Sequence, residues 1–316
     1  MLAEAATAAG RAPSVHNTQP WRWRVLSDRM ELHADRSRQL GVSDPDGRLL
    51  MISCGAALHH ARVALAAEGW RPVVTRHPRP GDPNLLAQVE LGEYVGVTPA
   101  AMRLFQATLL RHTDRRQVLD EPLPIEHLAA IRAAVEAEGA HLHVLREEQL
   151  SELVVALSRA ETLEAADEAR RAELAYWVGG PLPGVGVPPT VIPAERPHAD
   201  ITTRDLGRPG LLDPGDEGGR ATFTLIFGER DDPAGWLTAG EAMSAAWLAA
   251  TERGVAVLPF SVVVEVPAAR ALMRRLLAGL GHPYLVLRFG IVDPDHAAPP
   301  HPPRLTAAQT VELVTE

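Results

Sequence analysis

Two stretches of the 316-residue chain repeat each other at a fixed distance. GAALHHARVALAAEGW begins at Gly55 and GEAMSAAWLAATERGV at Gly240; from 55 to 240 the offset is 185 residues. The opening glycine, alanines at the third, seventh and tenth positions, and the closing glycine (Gly69, Gly254) all coincide, and Leu58 matches Met243 in kind. Each stretch has a helical pattern stopped by glycine, the residue that best takes the left-handed turn past a helix end. An apolar strand follows in each case. Two explanations are open. Alanine-rich amphipathic helices resemble one another in an alanine-rich protein. Alternatively, the chain carries two copies of one α+β unit, each with a long central helix packed on its twin through small residues.

Charge narrows the chemistry. All 31 basic residues are arginine; there is no lysine. That excludes a P-loop, a Schiff-base lysine and a kinase lysine. Net charge is −9 and no basic patch stands out, so no nucleic-acid partner is expected. Any anion must be gripped locally, by arginines and backbone amides. With one cysteine, Cys54, neither a disulfide framework nor a cysteine-rich metal site can form, and no metal is expected. No apolar run approaches the roughly 20 residues of a membrane span. The start, MLAEAATAAGRAPS, lacks the basic and apolar blocks of a signal peptide. A cytoplasmic protein without a membrane partner is expected.

The remaining pattern is mixed. Helices are predicted over 2–10, 52–70, 98–110, 124–138, 147–177 (one or a pair), 237–254 and 268–280. Strands are predicted over 21–26 and 30–34, as a hairpin, and over 86–91, 141–145, 222–227 and 284–289. The segment from Gly179 to Gly219 is rich in proline and glycine without periodicity, and loops of that length are usually either functional lids or disordered.

Three segments can carry chemistry. RAPSVHNTQPWRW (Arg11 to Trp23) sets Ser14, His16, Asn17, Thr18 and Gln19 between two prolines. It is either a polar turn that docks the first helix or a rigid loop that reads the edge of a heteroaromatic ring. RHTDRR (Arg111 to Arg116) alternates Arg111, Thr113 and Arg115, which in an extended segment share one face. That face suits a phosphate, each charge-assisted bond contributing about 1.5–3 kcal/mol; a solvated basic turn is the other reading. Arg304, within PHPPRL, is either a third phosphate ligand or a surface arginine.

Taken together, these segments resemble a known family. PSVHNTQPW is similar to the PSxxNxQPW signature of flavin-dependent nitroreductases. RHTDRR resembles their R-x-[ST]-x-[KR] segment, the helix at Gly240–Gly254 with LPFSVVVEVPAARALMRRL resembles their helix and following loop, and HPPRL resembles their C-terminal phosphate-binding arginine. PSVHNTQPW has no RHTDRR-like segment before it, and RHTDRR has no PSxxN segment after its helix. The chain is therefore similar to the Acg-like, actinobacterial branch. There, two half-repeats form an intramolecular pseudo-dimer with one composite site.

The resemblance implies an α+β nitroreductase-like fold built around central antiparallel sheets and long helices. It implies a first half over 1–108, a second over 109–316, and a lid at about 179–219 in which Arg204 and Asp205 could latch. It implies flavin mononucleotide (FMN) as cofactor and NAD(P)H as co-substrate for a small organic acceptor. Arg111, Thr113 and Arg304 match the phosphate ligands. Arg115 matches the cation beside the pyrimidine edge of the flavin, where attraction at about 4 Å and an effective dielectric near 20 is roughly 4 kcal/mol before desolvation. Pro13, Ser14 and Asn17 match the residues lying against the ring. Leu258, Pro259, Phe260 and Ser261 match the loop whose backbone N–H reaches the reactive ring nitrogen. No side-chain acid or base is required, His16 is read as structural and Cys54 as packing. A covering lid would instead make a flavin-holding protein with little reductase activity. Fused halves predict a monomer or weak homodimer.

Overall fold

In a computed structural model, residues 1–179, 183–188, 220–295 and 300–314 are described. The lid expected at about 179–219, with Arg204 and Asp205, therefore lies almost wholly outside the described residues. The elements in chain order are α1 (Leu2–Ala9), β1 (Trp21–Val25), β2 (Arg29–Ala34), α2 (Arg48–Ala67), β3 (Trp70–Arg76), β4 (Leu85–Tyr94), α3 (Pro99–Leu110), α4 (Ile125–Ala137), β5 (His141–Val144), α5 (Glu147–Ala166) and α6 (Glu168–Trp177). Then come β6 (Thr222–Gly228), α7 (Pro233–Thr251), β7 (Ala256–Phe260), α8 (Val262–Glu265), α9 (Pro267–Leu276), β8 (His282–Gly290), α10 (Ala307–Thr310) and β9 (Val311–Leu313).

The repeat is real in space. Helices α2 and α7 pack on each other at the centre, and their glycines meet there. A Cβ on Gly55 would lie 2.1 Å from the Leu237 carbonyl oxygen and 2.9 Å from the Gly240 Cα. A Cβ on Gly240 would lie 2.0 Å from the Ile52 carbonyl oxygen and 2.8 Å from the Gly55 Cα. Leu237 is the repeat mate of Ile52, as Gly240 is of Gly55, so each contact is returned by its mate. That reciprocity marks a two-fold interface. One turn on, His59 Nδ1 and Ser244 Oγ, also repeat mates, are 2.9 Å apart. Both helices end before a left-handed glycine, Gly69 (φ +88°) and Gly254 (φ +68°).

Each half has its own sheet. The first runs β3-β4-β2-β1-β9, the second β5-β6-β8-β7. The second is antiparallel throughout. The first is antiparallel as expected, except at its edge, where β9 lies parallel to β1. β9 belongs to the tail, so residues grouped with the second half complete the sheet of the first. A division at 108/109 runs through α3, which crosses the seam and touches both α2 and α7. Helix α2 is, by length and composition, apolar enough to cross a membrane, which departs from the expectation above; the fold buries most of it. In β1, Trp21 and Trp23 point into the core while Arg22 faces out, the alternation a half-buried strand requires.

Three strands fall outside the ranges forecast from sequence: β9 in the tail, and β3 and β7 directly after the repeated helices. β3 follows α2 after only two residues and includes Arg71, Pro72 and Arg76, so it lacks an apolar run. β7 covers Leu258, Pro259 and Phe260, residues expected in a loop; only Ser261 lies beyond its end. Pro259 fits because β7 is an edge strand, where one missing N–H costs no ladder bond.

Candidate functional site

The PSVHNTQPW loop is held in an uncommon conformation. His16, Asn17 and Gln19 all have positive φ (44°, 55° and 50°). Such residues cost of order 1–3 kcal/mol each and persist only when their surroundings hold them. The restraints are specific. Ser14 Oγ accepts from the Gln19 N–H (2.9 Å), and Ser53 Oγ on α2 accepts from the Val15 N–H (3.2 Å). The Cys54 thiol donates to the Pro20 carbonyl (3.2 Å). Burial pushes that thiol's pKa up, so Cys54 is a packing group rather than a nucleophile.

The loop also gathers distant chain. The Asn17 amide donates to the carbonyls of Gly186 (3.0 Å) and Pro303 (2.8 Å), and its Oδ1 accepts from the Arg304 guanidinium. Gln19 donates to the Gly184 carbonyl (2.7 Å) and accepts from the Leu305 N–H (3.0 Å). Residues 184 and 186, at the start of the segment expected as a lid, thus sit on the loop. Ser14 and Asn17, expected to lie against a ring, have side-chain groups engaged in holding the loop and aiming Arg304.

Arg111 and Arg304 come together. Both donate to the Arg11 carbonyl, at 3.4 Å each. Arg111 caps α3, is buried, and stacks over the Trp247 ring at 4.6 Å. Among the described residues neither arginine has a carboxylate within salt-bridge distance, and the Arg111 Nε has no hydrogen-bond partner. Burial, then the charge of Arg304, pushes the Arg111 pKa down to about 9; burial, then Arg11, pushes Arg304 down to about 10. Both remain cationic at neutral pH. A buried cation beside a half-buried one, with no carboxylate among the described residues to offset them, is costly, so an incoming anion would be favoured there.

The rest of RHTDRR is arranged differently from a simple alternation. Arg111 and Asp114 are buried; Thr113 and Arg115 are half-buried. Asp114 receives His112 and Arg116; burial opposes its charge, but these partners hold its pKa well below the carboxylate range. Buried Arg288 donates to the carbonyls of Asp114 (2.9 Å) and Arg116 (3.0 Å). The Asp114 N–H donates to the Val257 carbonyl (3.0 Å), which ties the segment to the free edge of β7. Val257 therefore faces outward and its neighbours Leu258 and Phe260 face β8. Pro259 has no N–H. Of the four residues 258–261, Ser261 is left with a backbone donor for anything placed along that edge.

The structure thus brings together Asn17, Arg111 and Arg304, with Ser14 behind them, and sets Leu258–Ser261 beside the RHTDRR segment. It adds Trp247, Arg11, Gln19 and Arg288. The sequence reading missed Trp247, whose only signal is that it is one of several positions at which the repeats differ, its mate being Arg62. The pocket lined by Arg132, Glu136, His141, His143 and Phe227 lies along β5, at the edge of the second sheet opposite β7, and contains none of these residues. Among the described residues no cluster of His, Cys, Asp or Glu could hold a metal.

No protein-family model matches the chain. It is 38% identical over 321 residues to a Mycobacterium tuberculosis protein provisionally named as an NAD(P)H nitroreductase, an alignment covering 98% of this chain and 90% of that one. A second M. tuberculosis protein, acg, named in the same way, is 31% identical over 307 residues, covering 96% and 93%. Among solved structures, the FMN- and NADPH-dependent nitroreductase NfnB from a Sphingopyxis strain aligns with 67% of this chain and 99% of its own at 17% identity, with a TM-score of 0.43.

Proposed function

Because the chain belongs to the nitroreductase family, within its Acg-like branch, we propose that it is an FMN-dependent NAD(P)H oxidoreductase whose composite site is built from both halves. The observation that carries this reading is the pair Arg111 and Arg304, converging on one carbonyl with no acid to neutralise them among the described residues. A phosphate monoester supplies the missing charge. Arg111 and Arg304 would hold it, with Thr113 from the same segment, and charge-assisted bonds of this kind contribute about 1.5–3 kcal/mol each.

FMN, when bound, would take a hydride from NAD(P)H and pass it to a small organic acceptor in two separate half-reactions. The protein's part is placement and electrostatics. Arg115 would stand beside the pyrimidine edge and favour negative charge there; a net 1.4 kcal/mol moves a two-electron potential by about 30 mV. Pro13 and the Ser14–Asn17 turn would form one wall. The Ser261 N–H is the donor we assign to the reactive ring nitrogen. Gly184 and Gly186 dock on Gln19 and Asn17 beside that wall. We place the protein in the cytoplasm as a monomer, the fused halves supplying the pairing that separate subunits would otherwise provide.

The decisive experiment is the double variant Arg111→Ala with Arg115→Ala. It should fold and be colourless; retention of stoichiometric FMN refutes the phosphate assignment. Stopped-flow mixing of the yellow wild type with NADPH should bleach the flavin. No bleaching, even with 179–219 deleted, would leave a flavin-holding protein and not a reductase. A tight dimer on sedimentation would overturn the monomer.

A further inference from the structure

His60 sits on α2 at 1% exposure, and among the described residues neither ring nitrogen has a hydrogen-bond partner. An imidazole with both polar atoms unsatisfied in a protein interior is costly, and native structures seldom retain one without a reason. Its position supplies the reason. His60 follows Ser53 by seven residues, two helical turns, so the two share a face of α2. Ser53 receives the Val15 N–H of the PSVHN loop. The cations that bear on His60 include Arg111 and Arg304. The adjacent His59 points elsewhere, to Ser244 across the helix seam.

We propose that His60 is a further ligand of the anion held by Arg111 and Arg304, donating one ring N–H to a phosphate oxygen from beneath the site. Burial, then the charges of Arg111, His59 and Arg304, holds its pKa well below the ordinary value, so the ring is neutral. That suits the role. Two guanidinium groups already balance a dianionic phosphate, and a neutral donor adds a bond without excess charge. The repeat supports a one-sided function, because the mate of His60 is Ala245. The inference rests on the FMN reading above and extends it to a residue on the central helix.

The test compares FMN with riboflavin, which has the same ring and no phosphate, by fluorescence quenching of flavin-free protein. In His60→Leu, FMN affinity should fall about tenfold to a hundredfold, the loss expected for one bond to a charged group, while riboflavin affinity stays unchanged. His60→Asn, which keeps an N–H, should recover part of the loss. Equal changes for both flavins, or none, would overturn the assignment of His60. Arg304→Ala separates the two readings: if it too leaves the FMN-to-riboflavin ratio at the wild-type value, the phosphate site itself is misplaced. Should His60→Leu not fold, nitrogen-15 spectra of imidazole-labelled wild-type protein answer instead. Adding inorganic phosphate should shift one His60 ring nitrogen; an unmoved signal at saturating phosphate refutes the contact.

Discussion

Two arginine pairs flank the central helix pair, and they have opposite fates. On one side Arg111 and Arg304 meet over Trp247 with no carboxylate among the described residues. On the other, Arg62 and Arg76 close on Glu241, and Arg62 also bonds Glu138. Trp247 and Arg62 are repeat mates, so these regions occupy related places in the two copies. Where acids are present, the arginines are struts: α2 and β3 are tied to α7 through the buried Glu241 carboxylate, and Arg62 also ties α2 to Glu138 at the end of α4. Where no acid stands among the described residues, the same side chains would, on the reading proposed above, receive an anion supplied from outside. On that reading the two copies diverge in their electrostatics, and a duplicated chain keeps a single site.

The comparison breaks most visibly at Glu241, 1% exposed and bonded to two arginines. Glu241→Ala removes the shared acid and leaves two partly buried cations facing each other. Losing one member of a buried ion network costs about 3–5 kcal/mol. Urea unfolding should show that loss, with flavin content per folded molecule unchanged. A loss under 1 kcal/mol would mean that the strut is ornamental.

Acid tests the seam between the copies. His59 is buried against Ser244, and burial, partly offset by Glu138 and reinforced by Arg62, pushes its pKa down to about 4. The unfolded chain binds a proton near pH 6.5 while the folded chain resists until about 4. Folding stability is therefore full above 6.5 and declines as pH falls through that window, by about 3 kcal/mol for such a shift. His60 titrates in the same sense. Thermal melts from pH 7 to 4 should show the decline, and His59→Gln should flatten it; an equally steep profile in that variant would point to other groups.

How much of this was legible beforehand follows the same physics. Periodicity located α2 and α7, and the repeat located Gly55 and Gly240, because close helix approach needs glycine at definite positions. Arg111 and Arg304 were legible through motif resemblance. Their shared acceptor was not, since Arg11 contributes a backbone carbonyl and any residue could have done so. His60 was hidden for a different reason: one histidine on an apolar helix carries no mark of whether its nitrogens find partners. β7 holds residues that the family resemblance places in a loop, and the sheet's edge makes Pro259 acceptable within a strand there. The strand β9 could not be assigned to the far sheet from its three residues.

A smaller effect is expected at the two-fold contact. Gly55→Ala ordinarily favours a helix by about 1 kcal/mol. Here the new Cβ would lie 2.1 Å from a backbone carbonyl, which cannot swing aside as a side-chain tip can. Helix separation should win, for a net loss of about 1–3 kcal/mol. Gly240→Ala should cost a similar amount, since the contact is reciprocal. Unequal costs, measured by denaturant titration, would show that the copies no longer share an axis there.

The smallest effect belongs to Arg304, and it sharpens the contrast most. Arg304→Ala removes a hydrogen bond to Asn17 but also a charge that repels Arg111 and Arg11. These oppose each other, so flavin-free stability should change by less than about 1 kcal/mol, against several at Glu241. What should vanish is the response to anion. A ligand that binds only the folded state raises stability by RT ln(1 + [L]/Kd). Inorganic phosphate should therefore raise the melting temperature of flavin-free wild type, and raise that of Arg304→Ala far less. If both proteins gain equally, the arginine pair is not the receptor, and its lack of acids has another cause.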